Sequence, residues 1–268
     1  MPSPLLQAPI KAAQHYWTRF DPVAYLDEYY GDIGEENLAL LRFCAETYAH
    51  VPRGGVLLDF GGGPTIYPLI AAASRVDEIH CADYLDSNID QVERWLGGDP
   101  GAFDWTAFIA KTLELEGRDC TPEGVELRAK EIRRRVTRTM RCDASRTPPI
   151  ARVERPYDIV STHFCAESAT SDRDEWREFM ANIVSVLSPG GWLVVSALKG
   201  ATRYAVGSQS FPAVDICEDD LLGLLADLGL SGSEVRLHSV AADRPSREYA
   251  GLMFAAAQKS HGKSRHAA

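Results

Sequence analysis

The sequence predicts an α/β fold on a mostly parallel, doubly wound sheet with an antiparallel edge near the C-terminus. Three observations carry this. Short apolar runs alternate with amphipathic helical segments between about residues 56 and 229. The first apolar run ends in a glycine cluster, LLDFGGGPTIYPL at 57–69, as a strand feeding a tight turn into a helix would. Near the C-terminus two strand-like runs follow one another with no helix between them.

The elements read as follows. A helical, aromatic-rich front covers about 11–50, with DPVAYLDEYYG as a short amphipathic turn and EENLALLRFCAETYAHV as an amphipathic helix. RGG at 53–55 breaks it. VLLDF (56–60) is a strand, TIYPLIAAAS a helix and EIHCADY (78–84) a second strand. SNIDQVERWLG has helical periodicity and stops at Gly97-Gly98. A polar segment, 97–142, reads as an insertion containing a basic helix, RAKEIRRRVTRTMR at 128–141. YDIVSTHF (157–164) is a strand, DEWREFMANIVSVLSPGG a helix closed by Pro-Gly-Gly, and WLVVSAL (192–198) a buried strand. DICEDDLLGLLADLGL is a helix ending near Gly229, and EVRLHSVAADRPSREYAGLMFAAAQK two strands around a turn. This divides the chain into an N-terminal helical lid (1–52), an α/β core (53–260) and a small polar tail (261–268) expected to be disordered.

Composition narrows the function. The chain has 268 residues, 45% apolar and 25% charged, with ample material for a core. A formal net charge of −10 argues against non-specific nucleic-acid binding. The basic run is expected to be the solvated face of a helix, with a local anion site as the alternative. Six cysteines without C-x-x-C spacing or a His cluster argue against a structural zinc site and fit a reducing compartment. No apolar run reaches the roughly 18 residues of a membrane span, and the N-terminus lacks a signal-peptide core. The expectation is a cytoplasmic protein, monomeric or weakly self-associating, with no metal, membrane or nucleic-acid partner.

A strand–glycine–helix turn can hold nucleotide phosphates, a dinucleotide or S-adenosylmethionine. A P-loop needs Gly-Lys-Ser/Thr, and here Gly63 is followed by Pro64-Thr65. The dinucleotide pattern fits Gly61 and Gly63, but Ile66 stands at the third glycine position. Asp59 ends the strand just before the turn, where a carboxylate is an awkward neighbour for a pyrophosphate. It suits S-adenosylmethionine, which carries a sulfonium and an ammonium and no phosphate; a strand-end cap is its plain structural alternative. Asp83, 24 residues further on at the end of the next strand, is placed for a ribose, in that cofactor or in NAD. Asp143 with Ala144, in RCDA at 141–144, could take an adenine amino group and ring.

Longer stretches carry a resemblance. DFGGGPTIYPL, ADYLDSNIDQVERWL, PGAFDW, FDPVAYLDEYY, FCAE, LSPGGWLVVSAL, the Tyr204–Gly207 region and GLMFAAAQK together resemble the nicotinamide, phenylethanolamine and indolethylamine N-methyltransferase family, which includes thioether S-methylation. The likeness covers about 20–259. It implies a class I, Rossmann-like methyltransferase with an N-terminal lid, and S-adenosylmethionine as cofactor. It further implies lid tyrosines Tyr25 and Tyr30 at the methionine part and a cradle of Gly61, Gly63, Thr65 and Tyr67. Tyr84 and Asn88 would flank the ribose and adenine, Asp143 and Ala144 hold the adenine, and Thr162 and His163 line the far side.

On the substrate side, Glu167 of FCAE matches a family amine anchor and Tyr204 a substrate-site tyrosine. Tyr16, Trp17, Phe20, Tyr29, Phe164 and Tyr204 could form an aromatic pocket, or simply pack. Three positions depart from the family. Ser196 replaces a substrate-binding acid of the nicotinamide branch, and Lys199 and Arg247 stand near acids of the phenylethanolamine branch. His163 is one extra residue before Phe164. Glu167 and His163 are the candidates for a proton relay, with a packed or capping histidine as the alternative. The expected function is methyl transfer to a small nitrogenous aromatic (an arylalkylamine, indole or N-heteroaromatic) in specialised metabolism. The alternatives are C-methylation of an indole-type carbon, O- or S-methylation, and a non-catalytic S-adenosylmethionine-binding protein.

Overall fold

The computed structural model describes residues 17–151, 154–230, 235–243 and 248–261. Tyr16, Arg247 and the tail beyond residue 261 lie outside them. Strands β1 (Val56–Phe60), β2 (Glu78–Asp83), β3 (Val136–Arg141), β4 (Tyr157–His163) and β5 (Leu187–Lys199) are parallel to one another. β8 (Arg236–Ala241) and β9 (Gly251–Gln258) form the antiparallel edge. Together they make a seven-stranded sheet in the order β3-β2-β1-β4-β5-β9-β8. A separate two-stranded hairpin, β6 (Arg203–Val206) and β7 (Gln209–Pro212), follows β5.

The helical front is α1 (Pro22–Tyr30) and α2 (Gly34–His50). Asp21 caps α1, its carboxylate accepting from the N–H groups of Val23 and Ala24 at 2.9 and 3.2 Å. The first-turn Pro22 has no N–H to leave unpaired. Further helices are α3 (Tyr67–Ala72), α4 (Asp86–Leu96), α5 (Thr106–Leu115), α6 (Pro122–Arg135), α7 (Arg173–Ser185) and α8 (Glu218–Asp227).

The sheet separates two apolar layers. On one face Leu57, Ile159 and Val194 pack with Leu41, Ile70, Trp105 and Ile109 of the α2, α3 and α5 side. On the other, Leu58, Val160 and Leu193 pack with Trp176, Met180, Leu221 and Leu225 of α7 and α8. Burying one such side chain is worth about 1.5–3 kcal/mol.

Three local readings need correction. The basic run is not one helix: α6 ends at Arg135, and Val136–Arg141 form an edge strand beside β2. The β-branched Val136, Thr137 and Thr139 suit a strand better than a helix. The run is also not simply a solvated face. Arg128 is buried, bonding the Ile70 carbonyl and both Glu116 oxygens, and Arg133 lies 4.5 Å over the Trp95 ring. Finally, LSPGG is not the close of a helix. The chain is extended from Leu187, with a register irregularity between Tyr157 and Ile159 opposite it.

Candidate active site

A cavity of about 510 Å3 opens over the C-terminal ends of β1, β2, β4 and β5 and runs beneath α1 and α2. The glycine turn forms its floor. Gly61 and Gly63 have φ of 66° and 63°, and the Gly61 N–H donates to the Ala82 carbonyl at 2.7 Å. A Cβ on Gly61 would sit 2.2 Å from Cys165 Sγ, whereas one on Gly63 would meet nothing within 4 Å. Thr65 Oγ1 closes the turn on the Gly62 carbonyl at 2.7 Å.

Asp83 stands at the end of β2, on the cavity wall, and is tied to the turn. Oδ2 accepts from the Gly63 N–H at 2.9 Å, and Oδ1 from Leu85 N–H at 2.8 Å and Asn88 Nδ2 at 2.9 Å. Burial raises its pKa, while these donors pull it back. Asn88 also lines the cavity, and its buried Oδ1 has no partner. Tyr84, Asp143 and Ala144 line the same end. The Asp143 carboxylate is held by Ser145 N–H at 3.0 Å, Ser145 Oγ at 2.6 Å and Arg146 Nε at 3.0 Å. Phe164 lines the wall in left-handed backbone geometry, φ 51°, a strained conformation of the kind that clusters at ligand sites.

The lid supplies Phe20, Tyr25, Tyr29 and Tyr30. Tyr30 stacks on Tyr67 with centroids 5.2 Å apart, and the Tyr25 and Tyr30 hydroxyls are 3.5 Å apart. Tyr29 donates to the Ala205 carbonyl at 2.8 Å, and Glu28 accepts from the Gly207 N–H at 2.9 Å, so α1 is fastened to the β6–β7 hairpin. Trp17 and Tyr204 each stack on Phe211 and face the cavity.

Four predicted residues do not reach the cavity wall. The pleat turns successive side chains to opposite faces. Asp59 therefore points beneath the turn, into a cavity of about 10 Å3 shared with Gly62, Cys81 and Asp83. Its Oδ1 has no partner, and burial, then the Asp83 charge, pushes its pKa up to about 8. Thr162 shares the face of Val160, away from His163. Ser196 is buried behind His163 and bonds its Nδ1 at 2.6 Å. Glu167 is 2% exposed, and its Oε1 accepts from Leu198 N–H at 3.0 Å and Ser168 Oγ at 3.2 Å. Burial pushes it up to about 7, and it ties the 164–169 loop to β5.

His163 does line the cavity, but not as a free base. Its Nε2 meets Ser161 Oγ at 2.8 Å, its Nδ1 meets Ser196 Oγ, and burial takes its pKa down to about 3. The imidazole is neutral at physiological pH. Lys199 points away from the cavity to Glu218 Oε1, 2.6 Å distant.

A family model described as the NNMT/PNMT/TEMT family matches residues 8–260. The chain belongs to this family. Indolethylamine N-methyltransferase of Mus musculus is 32% identical over 254 residues, 92% of this chain and 95% of that protein. Nicotinamide N-methyltransferase of Sus scrofa is 33% identical over 80% of this chain and 83% of its own. Phenylethanolamine N-methyltransferase of Sus scrofa is 28% identical over 92% and 90%. The fold is shared with an S-adenosylmethionine-dependent methyltransferase of Methanosarcina mazei, at a TM-score of 0.55 and 14% identity over 80% of this chain and 96% of that one. It is shared too with the 1,6-didemethyltoxoflavin-N1-methyltransferase of Burkholderia thailandensis, at 0.53 and 19% over 95% and 93%.

This NNMT/PNMT/TEMT protein is an S-adenosylmethionine-dependent methyltransferase of the Rossmann-like class. Its turn fits that cofactor: Gly63 leaves room where a side chain would project, Asp83 offers a prearranged carboxylate and Asn88 an unpartnered acceptor. Glu36, Asn37, Leu198, Tyr249 and Leu252 also line the cavity, and sequence reading missed them. Only for Glu36 was there a signal: it is the inward-facing acid of an otherwise apolar helical stripe. No helix among the described residues is long and apolar enough to cross a membrane, and none of their His, Cys, Asp and Glu groups could hold a metal ion.

Proposed function

We propose that this protein methylates a nitrogen of a small aromatic molecule, an arylalkylamine or an N-heteroaromatic, as a cytoplasmic enzyme of specialised metabolism acting alone or as a weak homo-oligomer. The observation that carries the reading is one cavity lined both by the glycine turn with Asp83 and by the rings of Phe20, Tyr29 and Tyr204. Six free cysteines fit a reducing compartment.

S-adenosylmethionine supplies a methyl group on a positively charged sulfur, which is already an excellent leaving group. Asp83, kept in place by Gly63 N–H and Asn88, would take the ribose hydroxyls. Asp143 and Ala144 would meet the adenine, with Tyr84 beside it. Gly61, Gly63 and Thr65 shape the floor, and Tyr25, Tyr30 and Tyr67 would close over the methionine part. Trp17, Phe20, Tyr29, Phe164 and Tyr204 hold a planar acceptor and exclude water.

Nitrogen is favoured as the acceptor atom for a specific reason. The two relay candidates are unsuited to proton abstraction: His163 is a neutral, doubly engaged imidazole, and Glu167 is turned onto the Leu198 amide. A ring carbon, a phenol or a protonated amine must lose a proton, whereas a neutral amine or a pyridine-type nitrogen brings a free lone pair and needs no strong base.

The test is transfer from methyl-labelled cofactor to tryptamines, phenylethylamines, pyridines, phenols, indoles and thiols, with the methylated atom located by mass fragmentation. Transfer to nitrogen is expected. Labelling only on carbon, oxygen or sulfur would overturn the choice of atom. Tight cofactor binding without any transfer would point to a non-catalytic binder.

A further inference from the structure

The acceptor end of the cavity contains a polar pair that no part of the proposed methyl-transfer chemistry uses. Glu36, in the first turn of α2, is 7% exposed, and so is Tyr249, just before β9; both line the cavity, as do Leu40 and Leu252. Tyr249 Oη donates to Glu36 Oε2 at 2.8 Å, and Glu36 Oε1 accepts from the Asp243 N–H at 3.2 Å. Negative charge is stabilised at the first turn of a helix. A carboxylate only accepts hydrogen bonds, and a phenol whose O–H is already donated to that carboxylate has only acceptor lone pairs left. The pair therefore presents acceptor character to a largely aromatic and aliphatic compartment.

Its place in the fold separates it from the cofactor. β9 lies three strands from β1 in the sheet order, roughly 14 Å at ordinary strand spacing. Ribose and glycine contacts belong to β1 and β2, so a group that meets Glu36 and Tyr249 lies toward the β9 side of the cavity, away from the strand that carries Asp83.

We infer that Glu36 and Tyr249 are specificity-determining residues that read a hydrogen-bond donor on the acceptor, a hydroxyl, ammonium or ring N–H, at the end away from the nitrogen that is methylated. This rests on the reading of the cavity as a methyl-acceptor site. The acceptor class is thereby narrowed to small aromatics polar at both ends. A planar ring lies along Leu40 and Leu252, and its distal donor meets the pair. An acceptor without the donor would add no bond to those the pair already makes.

The experiment uses matched acceptors that differ only in a distal hydroxyl or amine, with wild type, Glu36→Gln and Tyr249→Phe. KM and kcat are measured for each, with the Kd of S-adenosylhomocysteine as a check on the cofactor end. Wild type is expected to prefer the donor-bearing member, and each variant to raise its KM about tenfold while the donor-free member moves less than about twofold. The Kd and kcat are expected to stay within about twofold. Because Glu36 also holds the Asp243 amide, Tyr249→Phe carries the test if Glu36→Gln loses cofactor affinity or fails to fold. Equal KM changes for both members of a pair, or no change in either, would overturn the inference and leave only a structural bond between α2 and the start of β9. If wild type methylates and binds no acceptor, the methyl-transfer reading falls and the inference falls with it.

Discussion

At His163 the imidazole has two serine hydroxyls for neighbours and almost no solvent. Burial holds its folded pKa near 3, below the ordinary 6.5. A base depressed on folding contributes stability that is complete above pH 6.5 and lost as pH falls toward 3. Glu167 runs the other way: its folded pKa near 7 exceeds 4.5, so its contribution is complete below pH 4.5 and is lost as pH rises to 7. The two slopes oppose each other in wild type, so variants are needed to separate them. Glu167→Gln keeps an acceptor for Leu198 N–H and removes the ionisation. It is expected to gain up to about 3 kcal/mol on wild type between pH 4.5 and 7, read by urea unfolding at both pH values. His163 should stay neutral in a nitrogen-detected NMR titration down to about pH 4, while an exposed histidine titrates near 6.5. A protonation step for His163 at pH 6–7 would refute its description as buried and neutral. Residue types along a strand were legible; the face each occupies was not. Asp59, Thr162 and Ser196 are a matter of pleat phase, and in strands buried on both faces no alternation marks that phase.

Among elements, the glycine turn and the flanking strands were plain in sequence because their signals are local: an apolar run, three glycines, then a helix. The boundary between α6 and β3 was not. Arg and Lys continue across it, and only partnership with β2 makes 136–141 a strand. The β6–β7 hairpin also escaped notice, since four-residue strands have no periodicity of their own. That hairpin grips the lid through Tyr29 to Ala205 and Glu28 to Gly207, supported by the Trp17, Phe20 and Tyr204 rings on Phe211. Each hydrogen bond is worth about 1 kcal/mol. Tyr29→Phe with Glu28→Ala should therefore loosen α1 and weaken S-adenosylhomocysteine binding by about tenfold, measured by calorimetry. An unchanged Kd would mean that the lid's aromatic packing alone keeps it closed.

For the whole molecule, ligand binding to the folded state must appear as stability. S-adenosylhomocysteine at about 100 times its Kd should add about 2.7 kcal/mol and raise Tm by about 5–10 °C. NAD should add nothing, because Ile66 removes the third glycine of the dinucleotide turn. Equal shifts from both would contradict the cofactor assignment.

The antiparallel edge has a consequence of its own. The glycine turn and Asp83 come from neighbouring segments, the β1 turn and the end of β2, and are bonded to each other, so a change there disturbs several contacts at once. The acceptor end gathers Tyr29, Glu36, Leu198, Tyr204 and Tyr249 from five separate places along the chain. Apart from the bond between Glu36 and Tyr249, each of these sits on a segment of its own. The molecule thus pairs a donor seat knit from adjacent segments with an acceptor end assembled from distant ones, so a new acceptor could be taken on in small steps while the methyl donor's seat stays as it is.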